Sequence, residues 1–180
     1  MTNRTRVILT AQGSDRPGLT HALADAVHAA GGNWLESHLS RLGGIYVGSV
    51  LVELEDAGLA RFEQEIRAID ARGLAVSLVP AAQVPEAQGD ILVVELVGQD
   101  RPGIVREVTA VLERLGVNIE EFDSGTQHGS WSGELLFRAR ARLRLPDGLR
   151  AGEVREALEA ISGEIMADCP SSEHLAQLAV

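Results

Sequence analysis

Two short stretches of this chain hold the residue types and spacing with which it could do chemistry. Residues 12–19 read QGSDRPGL and residues 97–104 read VGQDRPGI. In each, an acid, an arginine, a proline and a glycine stand between an apolar run and an amphipathic pattern. A helix that starts at such a loop presents free N–H groups and about half a positive charge, so a small carboxylate is favoured there. Gly18 and Gly103 let a ligand come close to the backbone. Asp15 and Asp100 have two readings: they can receive an ammonium group, or they can cap the first turn of the helix. Arg16 and Arg101 read as solvated side chains. One helix end contributes roughly 0.3–2 kcal/mol to binding an anion. A millimolar ligand needs about 4 kcal/mol and a micromolar one about 8. A useful site therefore needs walls from a second unit, another domain or another chain.

The elements that position these loops come in duplicate. An offset of 85 pairs Asp15 with Asp100, Gly31 with Gly116, Asn33 with Asn118 and Glu36 with Glu121. The same offset pairs Gly48 with Gly133, Val50 with Leu135 and Val52 with Phe137, and it grows to 92 across the second helices, Ile66 against Leu158. About seven extra residues are thus expected in the second copy, in its longer hairpin and the turn around LPDG. Two copies are too few for a solenoid and read as two similar domains.

Each copy opens on a β-rich run, 6–12 or 91–97, followed by the loop and a helix. Leu19, Ala22, Leu23, Ala26, Val27 and Ala30 form one helical stripe; Ile104, Val108, Val111, Leu112 and Leu115 form the other. Pro17 and Pro102 suit the first helical position, and Gly31 and Gly116 a left-handed stop. Strands are predicted near 33–42, 45–55 and 74–79, then near 118–127, 131–145 and 164–169. Second helices carry Leu59, Phe62, Ile66 and Ile69, and Val154, Leu158 and Ile161. The fold class is α+β: two βαββαβ units, each an antiparallel sheet with two helices on one face. The expected layout is domain 1–80, linker 81–89, domain 90–170 and tail 171–180, the tail with a turn of helix.

An apolar strand, D-R-P-G-[LI], a helix and then G-x-N, found twice in matching frames, resembles the ACT domain. The tandem arrangement is similar to the glycine cleavage system transcriptional repressor family. The resemblance implies ferredoxin-like domains that bind amino acids or similar effectors where two units meet. It places the ligand region on Gly13, Ser14, Asp15, Arg16, Pro17, Gly18 and Asn33, and on Gly98, Gln99, Asp100, Arg101, Pro102, Gly103 and Asn118. An asparagine offers a donor and an acceptor, which suits a zwitterion; Asn33 and Asn118 can equally serve only to turn the chain. The implied role is a non-enzymatic regulator that binds a small amino acid, glycine being one choice, and controls transcription of glycine catabolism through a DNA-bound activator. The alternative is a detached regulatory subunit of a metabolic enzyme. A homodimer or higher homo-oligomer is expected. A third reading, acylphosphatase chemistry with Arg16 and Asn33, is disfavoured by the order of those residues.

Composition narrows the classes. The net charge is −10, with 16 basic residues, all arginine, which argues against direct nucleic-acid binding. Residues 1–84 are net −2 (7 basic, 9 acidic) and residues 85–180 net −8 (9 and 17). The alternating Arg138, Arg140, Arg142 and Arg144 read as a solvated sheet face, with Glu95 or Glu120 as cross-strand partners. Aromatic residues are 3% of the chain, so the cores are aliphatic. Trp34 and Trp131 read as packing or interface anchors, and His21, His28, His38, His128 and His174 as exposed. One cysteine, Cys169, forms no intramolecular disulfide and no thiolate cage, so no metal site is expected. No cofactor, export signal or membrane span is expected, and the cytoplasm is the expected compartment.

Overall fold

Alternation in the first strand sets the architecture. In β1 (Arg4–Ser14), Val7, Leu9 and Ala11 are buried while Arg6, Thr10 and Gln12 are exposed. One face must therefore be covered, and α1 (Leu19–Ala29) covers it with Leu19, Leu23, Ala26 and Val27. The computed structural model describes residues 4–70, 73–82, 88–129, 134–161 and 165–168. Trp131, Gly133, Cys169, His174, residues 83–87 of the expected linker and the tail 171–180 lie outside them.

The chain divides into two compact units, Met1–Pro85 and Glu86–Val180. The first runs β1, α1, β2 (Asn33–Leu42), β3 (Ile45–Glu55), a short 3-10 turn, α2 (Leu59–Asp70) and β4 (Leu74–Pro80). The second runs β5 (Ile91–Gln99), α3 (Ile104–Arg114), β6 (Asn118–His128), β7 (Leu135–Arg144), α4 (Ala151–Glu159) and β8 (Met166–Asp168). The sheet orders are β2-β3-β1-β4 and β6-β7-β5-β8, and every pairing is antiparallel. Each is the ferredoxin-like arrangement, with the two central strands leading to and from the outer ones.

Each unit has its own core. Leu9, Leu23, Val50, Val52, Phe62 and Leu74 fill the first; Val94, Val108, Leu112, Leu143, Val154 and Leu158 fill the second. Trp34 packs against the first core.

The helices end as their glycines require. Gly31 (φ 71°) and Gly116 (φ 69°) take the left-handed conformation. Gly32 N–H donates to Val27 O and Gly31 N–H to His28 O; Val117 and Gly116 make the same pair of bonds to Leu112 and Glu113. This is the Schellman stop, made twice.

The ladders correct the repeat alignment beyond β2. Ala11 faces Gly48, whereas Leu96, the residue 85 further on, faces Ala139. The offset is already 91 at β7, so Gly48 matches Ala139, Val50 matches Ala141 and Val52 matches Leu143, not Gly133, Leu135 and Phe137. Six of the extra residues lie in the β6–β7 hairpin, and the step to 92 falls between β7 and α4, in the stretch that contains LPDG. A tight Gly43-Gly44 turn closes the corresponding hairpin of the first unit.

Candidate functional site

The two D-R-P-G loops are type II β-turns that lead into their helices. Gly103 has φ 92° and ψ −5°, Gly18 φ 92° and ψ 0°, the values of the third position of that turn. Ile104 N–H donates to Arg101 O at 3.3 Å, closing the second one. Proline therefore takes the second turn position, one residue before the N-cap, rather than the first helical position. Gly18 and Gly103 are the N-caps, with no side-chain cap bond, so the aspartates do not cap. A Cβ added at either glycine would meet nothing within 4 Å. It is the positive φ, not crowding, that calls for glycine here.

Each loop is tied to the neighbouring hairpin by its aspartate backbone. Asp15 N–H donates to Gly44 O at 3.2 Å and Asp100 N–H to Leu135 O at 2.9 Å. The aspartate side chains differ. Asp15 Oδ2 lies 2.9 Å from Arg41 Nε. The Asp100 carboxylate, half-buried, makes no ion pair or hydrogen bond with the described residues. Arg101, expected to be solvated, makes a two-pronged ion pair with Glu107 on the first turn of α3. Its hydrogen bonds, more than its charge, hold the Glu107 carboxyl below the ordinary value against the opposing effect of burial.

In the second unit the loop, the middle of β6 and the head of α3 line an open cavity of about 300 Å³. Asp100, Arg101, Gly103, Ile104, Val105, Ser124, Gly125, Thr126 and Phe137 line it, a mixture of polar and apolar groups. The strand residues and Phe137 were not among the sequence candidates, because only the fold brings β6 and β7 beside the loop. The ladders identify their counterparts in the first unit. Gly13 and Arg41 face Tyr46, as Gly98 and Thr126 face Phe137. Where the second unit has Val105, Thr126 and Phe137, the first has Thr20, Arg41 and Tyr46. Thr20 Oγ1 and Tyr46 Oη are hydrogen-bonded at 3.0 Å.

Asn33 and Asn118 do not join the loops of their own units. Both are exposed, and they face Glu53 and Arg144 at the far end of the sheet. From the Arg6 row, which carries Asn33, to Ser14 is eight strand steps, roughly 25 Å. Within one unit the loop and the asparagine therefore do not share a site.

The open face of the second sheet carries the arginine column. Glu120, at a β-bulge between Ile119 and Glu121, is 3.1 Å from Arg142 Nε and 2.6 Å from Arg144 Nε. The Arg144 hydrogen bond is the main cause of its lowered pKa; burial opposes it and Arg142 adds to it. Glu95, the other expected partner, faces Arg140 in the ladder without an ion pair to the described residues. Concavities of about 350 Å³ over Arg138 and Arg140 and about 420 Å³ over Thr10 and Ser77 lie on these flat faces. Neither includes a helix end or a loop aspartate.

His21, His28, His38 and His128 are exposed. Among the described residues no group of three or more His, Cys, Asp or Glu could hold a metal ion, and no helix is long and apolar enough to cross a membrane.

Residues 5–77 and 92–163 each match the ACT domain. Among solved structures, an unknown protein from Galdieria sulphuraria is 28% identical, with 93% of this chain and 98% of that one covered and a TM-score of 0.76. A candidate glycine cleavage system transcriptional repressor is 17% identical, with 93% and 96% covered and a TM-score of 0.69, a likeness of fold. None of the curated proteins matches the chain.

Proposed function

Since both halves of the chain belong to the ACT-domain family, a family of amino-acid-binding regulatory modules, we propose that this protein is a non-enzymatic, amino-acid-responsive regulator. The observation that carries the reading is the cavity at the head of α3. There an unpaired carboxylate, the N-terminal end of a helix and an apolar wall converge. Asp100 suits the ammonium group and the helix end suits the carboxylate of a small amino acid. A volume of about 300 Å³ is at the lower end for ligand sites, which favours a small ligand.

The loop alone is too weak, and a second copy of the chain completes the site. The outer strands β2 and β6 are almost wholly exposed along their length. Such an edge pairs readily with its twin. Antiparallel pairing sets the far end of one sheet, with Asn33 or Asn118, against the loop end of the other. The site residues named from the sequence would then meet across a homodimer. Response to the amino acid would alter contacts with a protein partner in the cytoplasm. The finer role we propose is control of the transcription of glycine catabolism through a DNA-bound activator.

Thermal-shift measurement against the twenty amino acids tests this. At a hundred times its Kd a ligand adds about 2.7 kcal/mol. At least one amino acid, glycine being the first to try, is expected to raise the Tm by several degrees, and Asn33→Ala or Asn118→Ala to reduce that rise. No shift with any amino acid at 10 mM would overturn the proposal.

A further inference from the structure

We propose that the two units have divided their roles: the loop of the second unit takes the amino acid, and in the first unit an internal ion pair stands in the ligand's place. This rests on the amino-acid reading above and specifies which loop acts. The units share strand order, turn type, glycine N-cap and backbone tether, so differences at matched positions are informative. At the cavity the changes at Val105, Thr126 and Phe137 run in one direction.

Arg41 in the first unit presents a guanidinium 2.9 Å from the Asp15 carboxylate. That is the contact a ligand ammonium would make. Its counterpart Thr126 is too short and carries no charge, and Asp100 is left without a partner among the described residues. Thr20 and Tyr46 satisfy each other's hydroxyls at 3.0 Å, whereas Val105, exposed, and Phe137, buried, have no hydroxyls and line the cavity with apolar atoms. Glu107 anchors Arg101 at the rim of the second cavity; the matched position in the first unit is Ala22. Thus Asp15, Thr20 and Tyr46 have internal partners at the first loop, while the second loop offers a carboxylate and apolar surface to something outside the chain. An incoming amino acid at the first loop would have to displace Arg41. At the second it displaces only water. The ligand class follows: a zwitterion with a small side chain, its ammonium on Asp100 and its side chain toward Val105 and Phe137.

Isothermal titration of the intact chain with glycine, alanine, serine and valine in turn is the test. One site per chain is expected for the amino acid that binds. Asp100→Asn should weaken it at least tenfold, the loss of one charge-assisted contact. Asp15→Asn should change it less than twofold. Thr126→Arg, which installs the first unit's closure, should abolish binding without lowering the Tm, separating a closed site from a misfolded chain. Two equivalent sites per chain, or loss of binding in Asp15→Asn but not in Asp100→Asn, would overturn the division of roles and leave the amino-acid reading standing. No heat with any of the four on the unmodified chain would overturn both.

Discussion

Replacing Gly103 by alanine separates backbone conformation from packing at the candidate site. The residue sits at φ 92°, and an added methyl group would meet no atom within 4 Å. All the strain is therefore torsional. A left-handed conformation costs an L-residue roughly 1–2 kcal/mol. Alanine also stiffens the unfolded chain, which returns about 0.4–1 kcal/mol to the folded side. The net loss should be about 0.5–1.5 kcal/mol. In a domain of this size about 1 kcal/mol lowers the Tm by roughly 4–8 °C. Gly18→Ala, at the same φ and equally open, should lose the same amount from the first unit. Gly48→Ala has no positive φ, but its Cβ would lie 2.0 Å from His38 O, so it should lose considerably more. Urea denaturation followed by circular dichroism, together with calorimetry, gives all three values. If Gly103→Ala were as stable as the parent chain, the turn would not require its left-handed residue. The recurrence of glycine in D-R-P-G would then have no conformational cause.

Three other outcomes are expected. Leu143→Ala empties a fully buried site and should cost about 2–5 kcal/mol, whereas Leu135→Ala, at 38% exposure, should cost far less in the same denaturation assay. Tyr46→Phe removes the hydrogen bond to Thr20 and should cost about 0.5–1.5 kcal/mol, measured as a shift in the urea midpoint. Glu120→Gln should destabilise the second unit in a pH-dependent way. The Glu120 pKa is lowered on folding by Arg144 and Arg142, so its stabilisation is complete above the unfolded value of 4.5 and fades as pH falls through the lower folded value. The stability gap between parent and variant should therefore be constant near neutrality and close in acid.

The periodic parts of the fold were legible in the residues themselves. Leu19, Leu23 and Val27 give a helical stripe, and Leu143 alternates with arginines in a strand, because burial on one face leaves a repeating trace. Gly31 and Gly116 marked their helix ends because few other residues tolerate that backbone. The site was less legible. The spacing of Pro17 and Gly18 fits both a helix start and a type II turn, and only the dihedrals separate them. The Asp15–Arg41 pair joins residues 26 apart through a hairpin whose register no local pattern fixes. The longer second hairpin also broke the residue-by-residue correspondence. Phe137 therefore aligned with Val52 in sequence, although its place in the sheet is that of Tyr46. Glu120 and Glu95 looked alike as partners for the arginines until the bulge turned Glu120 toward Arg142 and Arg144.

The most direct measurement is a crystal structure of the chain grown with the amino acid that raises its Tm. Ligand density is expected at the head of α3, its nitrogen within about 3 Å of an Asp100 carboxylate oxygen, with the Asp15–Arg41 pair intact in the first unit. An amino acid lodged instead on an open sheet face, or bound to the first loop with Arg41 swung away, would contradict that expectation.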